Sequence, residues 1–108
     1  MKSIEEIDKD IEQILANSVW ASGNRELNRI KKDVARLREL KLYLETNPSE
    51  KFLYKQLESC TQIIEDCDAE VAVLKESPNS EDLVRACKVK WDYKSRVALK
   101  NNLEYLLN

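Results

Sequence analysis

Apolar residues recur along most of this chain at alternating spacings of three and four positions, a pattern typical of amphipathic α-helices. The most regular run covers three heptads without a register shift. Its members are Leu53, Leu57, Cys60, Ile64, Cys67, Val71 and Leu74. A helix with one narrow apolar seam must be covered by other helices, as in a coiled coil or a helical bundle. The pattern therefore predicts an all-α protein organised around this segment.

The first helix is predicted over about residues 3–22. Ser3 and Glu6 have the spacing of a capping box at its start. Gly23, the only glycine in the chain, follows the last periodic position, as a helix-terminating residue does. The apolar stripe between these two ends consists of Ile4, Ile7, Ile11, Ile14, Leu15 and Val19.

The second and third helices are predicted over about residues 24–46 and 48–76. Asn24 is the expected cap of the second helix, whose stripe consists of Leu27, Ile30, Val34, Leu37, Leu40 and Leu44. Pro48 disfavours helical geometry in the residue before it, so the second helix must stop at Asn47. Asn47 is then the expected cap of the third helix, with Pro48 in its first position.

The fourth helix is predicted over about residues 80–107, after a break at Pro78 and Asn79, and its expected cap is Asn79 or Ser80. Its apolar stripe is less regular and consists of Val84, Cys87, Trp91, Ala98, Leu99, Leu103 and Leu106. Short turns make sequential helices antiparallel neighbours. The sequence thus predicts one domain over residues 1–108, an antiparallel up-down four-helix bundle with an elongated helix 3–helix 4 hairpin.

Composition agrees with long helices and limits where the protein works. The chain has 108 residues with one glycine and two prolines, fewer turn-forming residues than sheets or loop-rich folds need. Neither a signal peptide nor an apolar run of transmembrane length is evident, which favours a cytoplasmic protein. The net charge of −2 argues against general binding of polyanions by the whole surface.

The three cysteines are interpreted as reduced core residues. Cys60 and Cys67 lie two helical turns apart and cannot bond to each other within one helix. Cys87 could approach Cys67 across a hairpin, so a single disulfide is the alternative. Thiols on a heptad seam are expected to be buried, with raised pKa values and slow reactivity, which argues against a redox sensor.

Charge alternates from helix to helix: the first helix is acidic, the second basic, the second half of the third acidic and the fourth basic. One interpretation is that acidic helices lie beside basic ones and favour antiparallel pairing at little energetic gain per pair. The other is that one face of the second helix binds phosphate groups. That candidate face carries Arg25, Arg29, Lys32 and Arg36.

Catalytic and metal-binding patterns are weak. The chain has no histidine, no C-x-x-C pair and no glycine-rich phosphate loop. We therefore expect no cofactor, no metal and no enzymatic activity. The remaining enzymatic hypothesis is a buried pocket that works with arginine, lysine and glutamate alone.

The leading hypothesis is a non-enzymatic interaction protein that binds and regulates or inhibits a protein partner, as a homo-oligomer. Trp20, beside Gly23 and Arg25, is a candidate contact because aromatic and arginine side chains are enriched at binding hot spots. Apolar residues off the main seams are candidates for the oligomer interface: Leu42, Phe52, Tyr54, Ile63 and Val73. The alternative is a nucleic-acid or nucleotide-binding regulator that uses the basic face of the second helix.

Overall fold

The computed structural model describes residues 1–77 and 79–108, and these residues are predominantly helical. The helices are α1 (Ile4–Asn17), α2 (Asn24–Glu45), α3 (Glu50–Lys75) and α4 (Ser80–Leu107), with a 3-10 turn at Ser18–Trp20 after α1. No strand occurs in the described ranges. The prediction of an all-helical chain is confirmed. The predicted break at Pro78 lies outside the described residues.

The four helices divide into two compact units. One unit comprises residues 1–49 together with Asn108 and contains α1 and α2; the other comprises residues 50–107 and contains α3 and α4. Each unit is a hairpin of two helices joined by a short connection. The single domain and the up-down order of all four helices stay predictions.

The start of α1 agrees with the predicted cap, whereas its end does not. The Ser3 hydroxyl oxygen accepts a hydrogen bond from the backbone N–H of Glu6 at 3.2 Å, which satisfies an N–H group that lacks a partner within the helix. At the other end, the Ser18 hydroxyl donates to the carbonyl oxygen of Leu15 at 2.5 Å, and the chain tightens into the 3-10 turn. The helix therefore ends at Asn17 and not near Ser22.

Gly23 caps the start of α2, the role that the sequence had assigned to Asn24. Its backbone has φ of 97° and ψ of 163°, a region that is essentially restricted to glycine. Its carbonyl oxygen accepts from Leu27 N–H at 3.3 Å, and Asn24 is already the first helical residue. The Glu26 carboxylate accepts from the backbone N–H of Ser22 at 3.0 Å, so a side chain from the first turn of α2 holds the segment that enters the helix.

Asn47 terminates α2 and does not cap α3 through a helix beginning at Pro48. It has a φ of 53°, and its backbone N–H donates to the carbonyl oxygen of Leu44 at 3.0 Å. A residue with positive φ directly after a helix satisfies the last carbonyl groups, and asparagine adopts this conformation more readily than most residues. Proline is common just after such a stop, and α3 begins at Glu50.

The α1–α2 hairpin buries the central part of the predicted α1 stripe and the C-terminal part of the predicted α2 stripe. Ile7 and Ile11 are buried in α1; Val34, Leu37, Leu40 and Leu44 are buried in α2. Lys41 Nζ lies 2.8 Å from a carboxylate oxygen of Asp8, which places the C-terminal part of α2 beside the N-terminal part of α1. The hydrogen bond to Asp8 raises the pKa of Lys41. The two helices are therefore antiparallel.

The α3–α4 hairpin is the longer unit, with helices of 26 and 28 residues that extend about 40 Å. All seven positions of the predicted α3 seam are buried or half-buried. Arg85 lies 2.9 Å from Glu70, which joins the start of α4 to the end of α3. The Asn79 side chain accepts from the backbone N–H of Glu81 at 3.0 Å and caps α4, as predicted.

The predicted buried stripe of α4 is wrong except at its C-terminal end. Val84, Cys87 and Trp91 are exposed, as are Ala98 and Leu99, whereas Leu103 and Leu106 are buried as predicted. The residues that are buried or half-buried instead are Ala86, Val89, Tyr93 and Val97. Both sets have helical spacing, so periodicity alone does not distinguish them. A small residue such as Ala86 permits a close approach of two helices, whereas an indole ring in its place would hold them apart.

Candidate functional site

The predicted basic face of α2 forms a shallow groove at the start of the helix. Arg25, Asn28, Arg29 and Lys32 line an open groove of about 550 Å³, and all four side chains are exposed. These four residues are called the basic groove below. Their positions follow from helical geometry, because residues three, four and seven apart share one face. Arg36 shares this face but does not line the groove, and it takes part in an interaction of its own.

Charge in the basic groove is not neutralised by carboxylates of the described residues. None of Arg25, Arg29 or Lys32 forms an ion pair there. The neighbouring Glu26 accepts the Ser22 backbone N–H, so its carboxylate already has a structural partner. The groove therefore presents three cationic side chains and one amide to solvent.

Trp20 lies on the 3-10 turn that precedes α2, and 84% of its surface is exposed. Arg25 follows it by five positions, so the two Cα atoms can be no more than about 18 Å apart. An aromatic side chain in this position contributes little to a core and is available to a ligand.

The residues predicted to form an oligomer interface are mostly at the surface. Ile63 is half-buried, and the other four are exposed: Leu42, Phe52, Tyr54 and Val73. Leu42 belongs to the α1–α2 unit, whereas the others belong to the α3–α4 unit. Whether they contact a second copy stays a prediction.

A second candidate surface lies on α4 and includes apolar residues that their spacing predicts to be buried. Val84, Cys87, Lys88, Trp91 and Asp92 line a shallow, largely apolar depression on α4, here called the α4 surface. Trp91 is 71% exposed. The irregular spacing of the predicted α4 stripe could have indicated this surface, because a helix with apolar residues on two faces can bury only one of them within a hairpin.

Opposite charges meet within each hairpin, as the structural interpretation of the charge pattern expects. Asp8 pairs with Lys41 between α1 and α2, and Glu70 pairs with Arg85 between α3 and α4. Such exposed pairs orient helices at little energetic gain. They involve different cations from those of the basic groove, so charge pairing between helices does not account for the groove.

The cysteines are all free, which excludes the alternative of a disulfide between Cys67 and Cys87 in this structure. Cys60 and Cys67 are buried as predicted, and burial raises the pKa of the Cys67 thiol, with further contributions from Asp92 and Glu70. Cys87 is exposed, so its interpretation as a core residue was wrong.

Thiol reactivity in the folded protein is expected to be confined to Cys87. With a chromogenic disulfide reagent at neutral pH, one thiol should react quickly, and the two others only after a denaturant is added. The variant C87S serves as the control and should lack the fast phase. A fast phase that persists in C87S would show that the α3 seam opens to solvent, against the burial described above.

No group of three or more cysteine, aspartate or glutamate side chains suited to a metal ion is present in residues 1–77 and 79–108. Among the same residues, no helix is long and apolar enough to cross a membrane. No protein-family model, curated protein or solved structure matches this chain.

Proposed function

We propose that this chain is a non-enzymatic interaction protein of the cytoplasm that binds and regulates or inhibits a protein partner through the α4 surface. The observation that carries the proposal is the exposure of Val84, Cys87 and Trp91, which have the spacing of a core stripe. Apolar residues scattered singly over a surface need no explanation, whereas a continuous stripe marks an interaction site.

Trp91 is the expected centre of the contact. Tryptophan is among the residues most enriched at binding hot spots, because its large ring buries much area with few rotatable bonds. Val84 stands about two helical turns before it and Cys87 about one turn before it. This arrangement fits a partner that supplies apolar side chains at the same helical spacing.

The charges around the stripe favour an acidic partner. Lys88 lines the α4 surface, and Lys94 follows Trp91 by three positions on the same side of the helix. Neither lysine forms an ion pair with a carboxylate in the described part of the chain. Asp92 is the only acidic residue between Leu83 and Leu103. The proposed occupant is therefore an amphipathic helix whose apolar stripe is flanked by aspartate or glutamate.

Selection from a display library of helical peptides tests this occupant. We expect enrichment of acidic amphipathic sequences, and a selected peptide should bind at least about tenfold more weakly to W91A, the loss expected for a hot-spot residue. The matched control is W20A, which removes another exposed tryptophan, from the other hairpin. Enrichment of basic or unpatterned peptides, or equal losses in W91A and W20A, would contradict the proposal.

The second part of the proposal is that the four helices of one chain form a bundle and that copies of the chain associate with one another. Its support is the exposure of apolar residues off the helical seams, such as Leu42 and Val73. Sedimentation should detect a dimer or a larger species at micromolar concentration. A strict monomer would contradict this part. Dissociation of an oligomer by W91A would instead identify a second copy, and not an acidic partner, as the occupant of the α4 surface.

A further inference from the structure

We infer that the basic groove of α2, together with Trp20, is a binding site for single-stranded nucleic acid. The site belongs to the α1–α2 hairpin, so it is separate from the α4 surface on which the proposed function rests. The inference uses four properties of the groove: its unpaired cations, its place on the helix, its length and the adjacent tryptophan.

The unpaired cations are the first property. Arg25, Arg29 and Lys32 converge on one groove without a carboxylate partner in the described residues, while Lys41 in the same helix has Asp8. Two arginines and a lysine present many N–H donors, and the planar guanidinium groups suit bidentate contact with phosphate. The Asn28 amide adds a donor and an acceptor to the same groove.

The place of Arg25 on α2 is not explained by helix stability. Arg25 is the second residue of the helix, close to the positive end of the helix dipole. A cation is unfavourable there, whereas an anion bound beside it gains from the dipole. An anionic ligand in the groove would therefore relieve a repulsion that the free protein carries.

The length of the groove selects a ligand with repeated charges. Arg25 and Lys32 are seven residues apart, or about 10 Å along the helix axis. One phosphate group cannot contact both ends, while a chain with several phosphates can. A rigid duplex is disfavoured because its bases are paired and stacked inside the double helix and are not available to an aromatic ring. A flexible single strand can follow the groove alone.

Trp20 distinguishes nucleic acid from other polyanions. Proteins that bind single strands combine a basic track for the backbone with aromatic side chains on which bases stack. Trp20 is exposed and lies within about 18 Å of Arg25 along the connecting segment, a distance that a few nucleotides span. An acidic peptide or a polyphosphate has no base to place on the indole ring.

Fluorescence anisotropy with a labelled oligo-dT of about 16 nucleotides tests the inference. We expect binding that weakens with salt, with a slope of log K against log salt concentration near −2 for three phosphate contacts. The triple variant R25Q/R29Q/K32Q should lose at least about tenfold in affinity and most of this slope. The matched control, K9Q/K31Q/R38Q, makes the same charge change at exposed residues outside the groove and should keep both.

The role of Trp20 has a separate readout. W20A should weaken binding of the oligonucleotide by about fivefold or more. In a W91F background the only tryptophan is Trp20, and the oligonucleotide should quench its fluorescence. Polyaspartate and inorganic polyphosphate serve as probes without bases, and W20A should leave their affinity for the protein unchanged.

Three results would overturn the inference. One is the absence of oligo-dT binding at about 50 mM salt. Another is an equal loss of affinity in the two triple variants, which would reduce the effect to net charge. The third is binding of polyphosphate or polyaspartate as tight as that of oligo-dT with no effect of W20A, since the site would then be a general polyanion surface. The affinity variants R25Q/R29Q/K32Q, K9Q/K31Q/R38Q and W20A leave α4 unchanged, so failure here and failure of the peptide-binding proposal are distinguishable.

Discussion

The variant L53A is expected to lose about 2–5 kcal/mol of the free energy of unfolding, because a large cavity replaces the side chain. Leu53 is fully buried at the start of the α3 seam, with 0% of its surface exposed. The loss combines the transfer free energy of the removed methyl and methylene groups with the contacts that their neighbours lose. Since small domains have a total stability of about 5–15 kcal/mol, this one change could remove much of it.

Urea denaturation at low protein concentration measures the effect of L53A. The midpoint should fall with little change in the slope, as expected when stability changes without a change in the unfolding mechanism. The matched control is L83A, which makes the same chemical change in the same hairpin at a residue that is 49% exposed. We expect L83A to cost far less than L53A. Similar losses in both variants would contradict the burial of the α3 seam.

The variant G23A is expected to destabilise the α1–α2 hairpin by about 1–3 kcal/mol, because its backbone conformation is essentially closed to other residues. Gly23 has φ of 97° and ψ of 163°. An added Cβ atom would meet no other atom within 4 Å, so the cost arises from the backbone and not from a collision. Part of the cost is offset by about 0.4–1 kcal/mol, because alanine restricts the unfolded chain more than glycine does.

Thermal and urea unfolding followed by circular dichroism measure the effect of G23A. The control is S22A, next to Gly23, which keeps the backbone N–H that donates to Glu26 and removes only a long side-chain contact of 3.5 Å. It should change stability by no more than about 0.5 kcal/mol. If G23A unfolds like the unmodified protein, the connection between α1 and α2 must adopt another conformation than the one described.

The two proposed binding surfaces lie on different hairpins and can be separated experimentally. Arg25, Arg29 and Lys32 belong to the α1–α2 unit, whereas Val84 and Trp91 belong to the α3–α4 unit. A protein with both activities could join a nucleic acid to a protein partner. Combining R25Q/R29Q/K32Q with W91A tests for coupling between the two surfaces. For each ligand, independent sites give losses of binding free energy that add, whereas a shared site gives losses that do not.

Much of the helical organisation could be predicted because its signals are local. Ser3 and Asn79 cap the helices that they were expected to cap, since a cap needs only a few neighbouring residues. The α3 seam could be predicted equally well, because its three heptads have no competing apolar face. The cations of the basic groove were also identified, as residues on one face of a helix remain together whatever packs on the other face.

The wrong predictions of helix ends arise from local sequence patterns that are compatible with two structures. Asn47 can cap the start of one helix or stop the previous one, and its positive φ assigns it to the stop. Asn24 and Gly23 both suit a cap position, and glycine occupies it because the backbone there is closed to other residues. Ser18 ends α1 early, because its hydroxyl bonds to the backbone and favours a tighter turn.

Local patterns in the sequence establish that this chain forms helices and which cations share a face of α2. These properties depend on contacts between residues a few positions apart. The packing of α4 against α3 determines which face of α4 is covered, because Trp91 and Ala86 both lie on stripes with helical spacing and the choice depends on which side chains fit against α3. That decision exposes Val84, Cys87 and Trp91 and creates the surface on which the proposed function rests.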